Sequence, residues 1–526
     1  MKTPIHASHN HPPAYDITII STYGGTYMKK ELSHIGFSRQ TADPTDKEVY
    51  DMIDDVIFQT LGADGLRRII RPGDRVVLKV NLVGPYMGDR GEKGRGIITD
   101  PRIVRYVAGM VRDIIGCSRG ASLKVVDAVM YSDPNPSHKA IRTSFYWAKL
   151  ERTGDNAVDK EDFCYDYNAD GILDGGSEAE LVNLDSIGAE GRQLFEVPMD
   201  SGNTVKVSFP KFLRTREQAL KSDSPDEYCD VFIGLPIFKS HGIEGITGAL
   251  KLHYGIRSKF GMPSDPGRFG HSGMFYDENG NHNVWMLTEY LCAMHKVRSY
   301  DYCIMDCITA NRKGPTLPVG GISYLPTMDQ KTDFIISSAM MASLDPVALD
   351  TAEAALAGYE LSSIPILPIA AQNGLGQGNP ALIRIEGNAH FSLHRQFLWH
   401  TYNEGGNKRY PLEDGWGGAR ALTSVEPTYS VEASTPEKTA ENVYDIKFRV
   451  VKNSALNQRK VIRVELAVGG TVILAMIGDD IEQSHFVLDL NRYPDFLNTD
   501  FTYNVFAWDD TFNCVSSIER FIFKGQ

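Results

Sequence analysis

The chain predicts an α/β protein, a mostly parallel sheet core with flanking helices, followed by a C-terminal antiparallel β-sandwich. Three observations predict it. In the first half, short apolar and β-branched runs are separated by a segment whose apolar residues recur at helical spacing. One such run, VFIGLPIFKSHGIEGITGALKLHYGI at 231–256, passes directly from apolar residues into lysines, histidines and glycines. Open parallel sheets bind ligands beyond the carboxyl ends of their strands, and this run puts chemistry there. The last stretch of the chain, roughly 95 residues, instead alternates with period two between GG, GDD and DDTFN turns.

At 526 residues with 42% hydrophobic content, the chain is long enough for two or three domains with a sizeable core. The expected division is an α/β domain over 15–424 and a sandwich over 430–526. Val425–Thr439, rich in Pro, Ser, Thr and Glu, reads as the linker.

The first strand expected in the sheet is Arg75–Val83 (RVVLKVNLV), with Lys79 and Asn81 on one face near its end. These two contact a ligand or simply face solvent. The glycine-rich loop 84–99, closing at Thr99, joins that strand to a helix and matches neither the Walker pattern nor the dinucleotide fingerprint. Asp100 caps the helix, Pro101 occupies its first position, and Ile103, Val104, Val107, Val111 and Ile114 form its apolar stripe. Ser122–Val129 (SLKVVDAV) is the next strand, so the unit reads β-loop-α-β.

An acidic insertion at about 150–200 carries DYNADGILDGGSE at 166–178. Asp166, Asn168, Asp170, the Ile172 carbonyl and Asp174 take the calcium-loop positions, with Gly171 at the sharp turn. Ser177 stands where the bidentate acid belongs, leaving Glu178 or Glu180 as substitute. A structural calcium ion or an acidic turn both fit.

In 231–256 the strand end delivers Lys239, Ser240, His241, Lys251 and His253, and Gly242, Gly245, Gly248 and Gly255 let backbone N–H groups approach an anion. Tyr302–Ile308 (YCIMDCI) places Asp306 near its exit. Asp333–Ser338 leads to Asp345, which either N-caps the helix opened by Pro346 or belongs to the site. Gly374, Gly376 and Gly378 make a turn before a strand at Ala381–Glu386. In the C-terminal part, Ile462, Val464, Leu466 and Val468 share a face of KVIRVELAV, as do Phe501, Tyr503, Val505 and Ala507 of FTYNVFAWDD.

Composition excludes several classes. A net charge of −13 argues against general affinity for nucleic acid or anionic membrane. No apolar run approaches the about 20 residues of a spanning helix. Met1 is followed by a polar stretch with His6, His9 and His11 rather than a signal peptide, so the chain as written is expected in the cytoplasm, or exported if a leader was removed. Seven scattered cysteines make no disulfide framework, and Cys303 and Cys307 read as buried thiols.

Five segments carry a resemblance: GDRVVLKVNLV (73–83), ITDPRIVRYV (98–107), LPIFKSHGIEGITGALK (235–251), CIMDCITANRKGP (303–315) and ASLDPVALDTA (342–352). In this order, over roughly residues 15–390, they resemble the bacterial and archaeal family catalogued as domain of unknown function 362. The resemblance implies family membership and little chemistry. Many relatives carry a ferredoxin-like module with clustered CxxC spacing, which this chain lacks. RVELAVGGTVI and YNVFAWDDTFN resemble bacterial immunoglobulin-like domains appended to exported enzymes.

The resulting expectation is an enzyme that holds an anionic small molecule or cofactor with Lys79, Asn81, Thr99, Gly245, Gly248, Lys239, His241 and Lys251. His241 or His271 serves as acid–base, and Asp306 as orienter or ligand of a divalent metal. Redox chemistry with a flavin-like cofactor and metal-assisted acid–base chemistry both remain open. So do non-catalytic binding in the same pocket and an interaction role for the sandwich.

Overall fold

The computed structural model describes residues 18–21, 32–81, 96, 98–117, 120–128, 179–184, 187–241, 244–257, 264–265, 284–311, 334–387, 428–453, 459–497 and 499–522. The chain forms two compact units. One comprises residues 1–32, 380–382 and 423–526, and the other residues 33–379 and 383–422. The calcium-type loop at 166–178 and His271 lie outside the described residues, as do His6, His9 and His11.

The first strand, β1 (Thr18–Ser21), belongs to the unit made mainly by the C-terminal part. The α/β unit begins with β2 (Ser33–Arg39) and α1 (Asp46–Leu61), whose start is fixed by a reciprocal Thr45–Glu48 capping box. It continues with β3 (Arg75–Val80), α2 (Pro101–Ile115), β4 (Ser122–Asp127) and β5 (Glu180–Asn183). A hairpin, β6 (Arg192–Pro198) and β7 (Thr204–Pro210), and the short α3 (Arg216–Leu220) precede β8 (Val231–Leu235). Then come β9 (Ile237–His241), β10 (Gly245–Ile246), α4 (Gly248–Leu252) and α5 (Val284–Val297). The unit closes with β11 (Tyr302–Asn311), β12 (Phe334–Ser343), α6 (Pro346–Leu356), α7 (Ile366–Gln372) and β13 (Ile383–Gly387).

Among the described residues the sheet runs β13-β2-β12-β11-β8-β3-β4-β5, with β9 alongside β11 and β10 paired to β9. From β11 through β8, β3 and β4 to β5 the pairings are parallel. The other end is mixed, because β12 runs antiparallel to both β11 and β2. β12 is longer than expected for an instructive reason. Between the pairs Cys307–Ala339 and Thr309–Ile336 the register slips, and Ser338 takes φ 51°. Two small polar residues that read as a strand end are a bulge inside one.

β3 shows how the unit is layered. Val76, Leu78 and Val80 point into the core shared with α1 and α2, together with Ile103, Val104, Val107, Val111 and Ile114 of the expected stripe. Alternation sends Val77 and Lys79 to the opposite face. α2 starts as the sequence predicts, Asp100 accepting from the Arg102 N–H with Pro101 at the first position. Asp345 is likewise a cap, accepting from the Val347 and Ala348 N–H groups, and it also accepts from Gln377 N–H and Ser33 Oγ–H.

In the other unit, β14 (Tyr429–Ala433), β15 (Glu437–Ala440), β16 (Val443–Lys452) and β19 (Gln483–Asp489) form one antiparallel sheet. The second contains β17 (Val461–Val468), β18 (Thr471–Ile477), β20 (Phe501–Asp509), β21 (Cys514–Ser516) and β22 (Arg520–Ile522). Both sheets supply one core that includes Val431, Phe448, Val464, Leu466, Tyr503 and Val505. Two expectations are corrected here. Tyr429–Ala433 and Glu437–Ala440 are strands rather than linker, with Ser434, Thr435 and Pro436 between these short edge strands. β17 is buried throughout rather than on one face, and its Arg463 is stacked over Trp508 and paired to Glu465 at 3.1 Å. β1 completes the second sheet by parallel pairing with β18, Thr18 opposite Leu474. Thr18–Ser21 therefore lies with the sandwich and not in an α/β domain starting at 15. Among the described residues no helix is long and apolar enough to cross a membrane.

Candidate ligand-binding site

β8 ends at Leu235 and, after Pro236, the chain resumes as β9, carrying Lys239 and His241 beyond the strands. β10 folds back on β9, Gly245 opposite His241, with Gly245 at φ 84°. The Glu244 N–H donates to His241 Nδ1 at 3.2 Å, which orients the imidazole toward its own turn.

α4 opens on Gly248 at φ 49°, where a Cβ would stand 2.4 Å from Asp350 Oδ2. That bare position lets a carboxylate from another helix cap α4, accepting from Ala249 N–H (2.6 Å) and Leu250 N–H (2.8 Å). Gly255 serves the same end, since a Cβ there would meet Asp127 Oδ1 at 2.3 Å and Lys79 Nζ at 2.6 Å. These glycines admit buried side chains of the protein itself, a different use from the anion approach that their spacing suggested.

Three lysines gather where those contacts meet. Lys79 Nζ donates to Asp127 Oδ1 at 2.5 Å and to the Val80 carbonyl at 2.7 Å, and the pair is buried. Burial lowers the Lys79 ammonium's affinity for its proton and Asp127 restores part of it. Lys239 is fully buried. Burial and the neighbouring Lys251 bring its amine down to about 7, against the pull of Asp127 and Glu353. Burial brings Lys251 to about 8, with Glu244 raising it and Arg257 lowering it further. Lys251 and Arg257 both lie over the Tyr254 ring, at 4.9 and 4.6 Å from its centre.

Opposite them α6 presents Asp350 and Glu353, three residues apart and buried. Burial holds both carboxyls up, Asp350 to about 7 and Glu353 well above the ordinary range, with Asp350's charge adding to the rise at Glu353. The site thus pairs amines weakened by burial with carboxyls strengthened in their hold on a proton. Thr247 Oγ1, His253 Nδ1, Arg257 Nε and the hydroxyl of Tyr300, which packs on His253, are buried with no hydrogen-bond partner among the described residues. Three of these four can donate.

His253 and His295 stack beside this cluster, ring centres 3.6 Å apart. His253 Nε2 bonds the Arg298 carbonyl and His295 Nε2 the Leu250 carbonyl, so each ring carries its proton on Nε2. Burial holds both neutral, His295 down at about 4.

Asp306 stands apart from the lysines. It falls in step with Tyr302, Ile304 and Ile308, which face α1 and α2, whereas Lys79 faces away from them. Its carboxylate accepts from the Asp100 N–H (2.8 Å) and the Ile308 N–H (3.0 Å). Burial and Asp100 push it up to about 7. Asp100 itself is gripped by Arg102 Nε and Nη2 at 3.0 and 2.7 Å. Thr99 and Asn81 also bond to each other, Thr99 N–H to the Asn81 carbonyl and Asn81 N–H to Thr99 Oγ1, both at 2.9 Å. Among the described residues no group of three or more His, Cys, Asp or Glu side chains is placed to hold a metal ion.

Residues 195–355 match the family model described as Domain of unknown function (DUF362). The match covers less than a third of the chain. The DUF362 segment contains Lys239, His241, Lys251, Asp306, Asp350 and Glu353, whereas Lys79 and Asp127 lie before it. Three of the five resembling blocks fall inside or on it, 235–251, 303–315 and 342–352. No curated protein and no solved structure matches the chain.

The sequence reading had missed Asp127, Glu244, Arg257, Asp350 and Glu353. Asp127 ends β4, and Lys79 is the last residue but one of β3, so the same rule finds both. Asp350 and Glu353 had a clear signal too, being the only charged residues in the helix PVALDTAEAAL. A carboxylate inside an apolar stripe is a buried carboxylate.

Proposed function

We propose that the protein is an enzyme that binds a small anionic molecule beside Lys239, Lys251 and Arg257 and moves a proton through Lys239. The supporting observation is the set of buried donors. Lys251 and Arg257 lie together over the Tyr254 ring, and Arg257 Nε, like Thr247 Oγ1 at the start of α4, meets no acceptor among the described residues. Buried donors without acceptors each cost about 1–3 kcal/mol, and an anion bringing acceptor oxygens removes that cost. A lysine amine near 7 exchanges its proton at neutral pH, as a general base requires.

The test uses thermal unfolding of the full chain with inorganic phosphate, oxalate and lactate. A binding anion raises the transition, by about 2.7 kcal/mol of stability at a concentration 100 times its dissociation constant. Lys251→Met abolishes the rise while leaving the protein folded. No shift with any of the three anions, in wild type or variant, refutes the reading. A flavin-like cofactor at the same site is tested by the absorption spectrum of the purified protein, in which a visible band accompanies a bound flavin. Calcium at 166–178 is tested by titrating the ion against the same transition. The C-terminal sandwich is assigned a packing or attachment role.

A further inference from the structure

We propose that Lys239 is a nucleophile, forming an imine with a small oxo-carboxylate whose carboxylate is held by Lys251 and Arg257. This inference rests on the anion-binding reading and names the substrate class within it. An amine attacks a carbonyl only when it has shed its proton, and two arrangements keep lysines in that state: removal from water and a second cation alongside. Lys239 has both, being buried with Lys251 as a charged neighbour.

Imine formation also needs a proton donor, and Glu353, whose buried carboxyl holds its proton more tightly than an exposed one, is the candidate. It lies within electrostatic reach of Lys239, faces the backbone N–H groups of Lys239 and Gly248, and shares a helix face with Asp350. The steps balance without any further reagent. The Lys239 Nζ lone pair bonds to the carbonyl carbon, and a proton passes from nitrogen to the former carbonyl oxygen, giving a carbinolamine. Glu353 then protonates the hydroxyl, the C–O bond breaks and water leaves. The proton remaining on the iminium nitrogen returns to the Glu353 carboxylate, so the net change is amine plus carbonyl giving imine plus water. Burial favours the product, because water is the reagent that reverses it.

The substrate class follows from the donors. Lys251 and Arg257, both over the Tyr254 ring, suit one carboxylate, and because Lys251 also neighbours Lys239 the carbonyl carbon attacked would lie close to that carboxylate, which describes a short oxo acid. A sugar phosphate with a remote carbonyl would need donors spread further along the site.

The full-length protein is incubated with pyruvate or glyoxylate and reduced with borohydride, then analysed by intact mass and peptide mapping. The expected result is one reduced adduct per chain, on the peptide containing Lys239. Lys239→Arg, which keeps the cation, loses the adduct, and Glu353→Gln slows its formation at least tenfold. Lactate, which has the carboxylate and no carbonyl, is measured alongside by thermal unfolding. Glu353→Gln leaves the lactate shift intact, a result that a general loss of packing would not produce. Protein that binds lactate yet forms no adduct overturns the imine and leaves the anion reading standing. Protein that does neither overturns both. Adducts confined to exposed lysines such as Lys47 and Lys221 also overturn the imine, and this holds from wild-type mapping alone if a variant fails to fold.

Discussion

Gly255 matters for what it leaves out. Its missing side chain is the space in which Lys79 and Asp127 meet, so Gly255→Ala must push apart a buried ion pair or move the turn. The expected loss is on the order of 2–4 kcal/mol, measured by urea unfolding, since separating one partner of a buried pair leaves an uncompensated charge. Lys239 carries the opposite expectation. Its amine in the folded chain sits at about 7, below the 10.5 of an unfolded lysine, so the unfolded state binds more protons as pH falls between these values. The wild type loses stability over that window and no further below it. Lys239→Met removes the loss, so the variant gains on the wild type as pH is lowered from 10.5 toward 7, reaching on the order of 2–4 kcal/mol. A variant no more stable than wild type at pH 7 contradicts this. Lys79, Lys239 and Lys251 were legible as site residues because strand ends deliver side chains to one edge. Their burial was not, since whether a lysine is covered depends on helices brought from elsewhere in the chain, here the one carrying Asp350 and Glu353.

Between elements, the stacked histidines join α4 to the end of α5, His295 holding the Leu250 carbonyl and His253 the Arg298 carbonyl. Their folded-state proton affinities are depressed, so they favour folding above the unfolded value of 6.5 and progressively oppose it as pH falls toward about 4. Replacing His295 by Gln, whose amide N–H keeps the bond to Leu250, flattens stability against pH in that window by up to about 1.4 kcal/mol per pH unit. Asp306 and Asp350, held up at about 7, act in the opposite direction between 3.8 and 7, so the histidine contribution is read as the difference between variant and wild type. At the start of α6, Asp345→Ala costs about 1–2 kcal/mol, because Asp345 caps two N–H groups and also accepts from Gln377 and Ser33. Helix starts at Asp100 and Asp345 were legible because capping chemistry is local. The length of β12 was not, since the bulge at Ser338 is defined by its partner strand. The sidedness of Asp306 was available from the alternation of YCIMDCI, and only its placement on the α1 and α2 face needed the structure.

For the whole molecule, composition and periodicity separated an α/β part from a β part correctly. They missed that the β part takes a strand from near the start of the chain, because four residues, TIIS, carry too little pattern to reveal their partner. Ile19 is buried in that arrangement. Ile19→Asp is expected to raise hydrogen exchange across Thr471–Ile477 at least tenfold while leaving β3 and β8 unchanged. Equal exchange at β18 in variant and wild type would show that β1 contributes nothing to that sheet.

The same pairing sets a schedule for synthesis. Thr18 leaves the ribosome long before Leu474, its partner. At about 5–20 residues per second the wait is on the order of 20–90 s. Through that interval the nascent chain presents an apolar segment with nothing yet made to pair with it. The α/β unit can consolidate meanwhile, but the β unit closes only after β18 has been made. Until then its unpaired backbone groups are open to wrong partners.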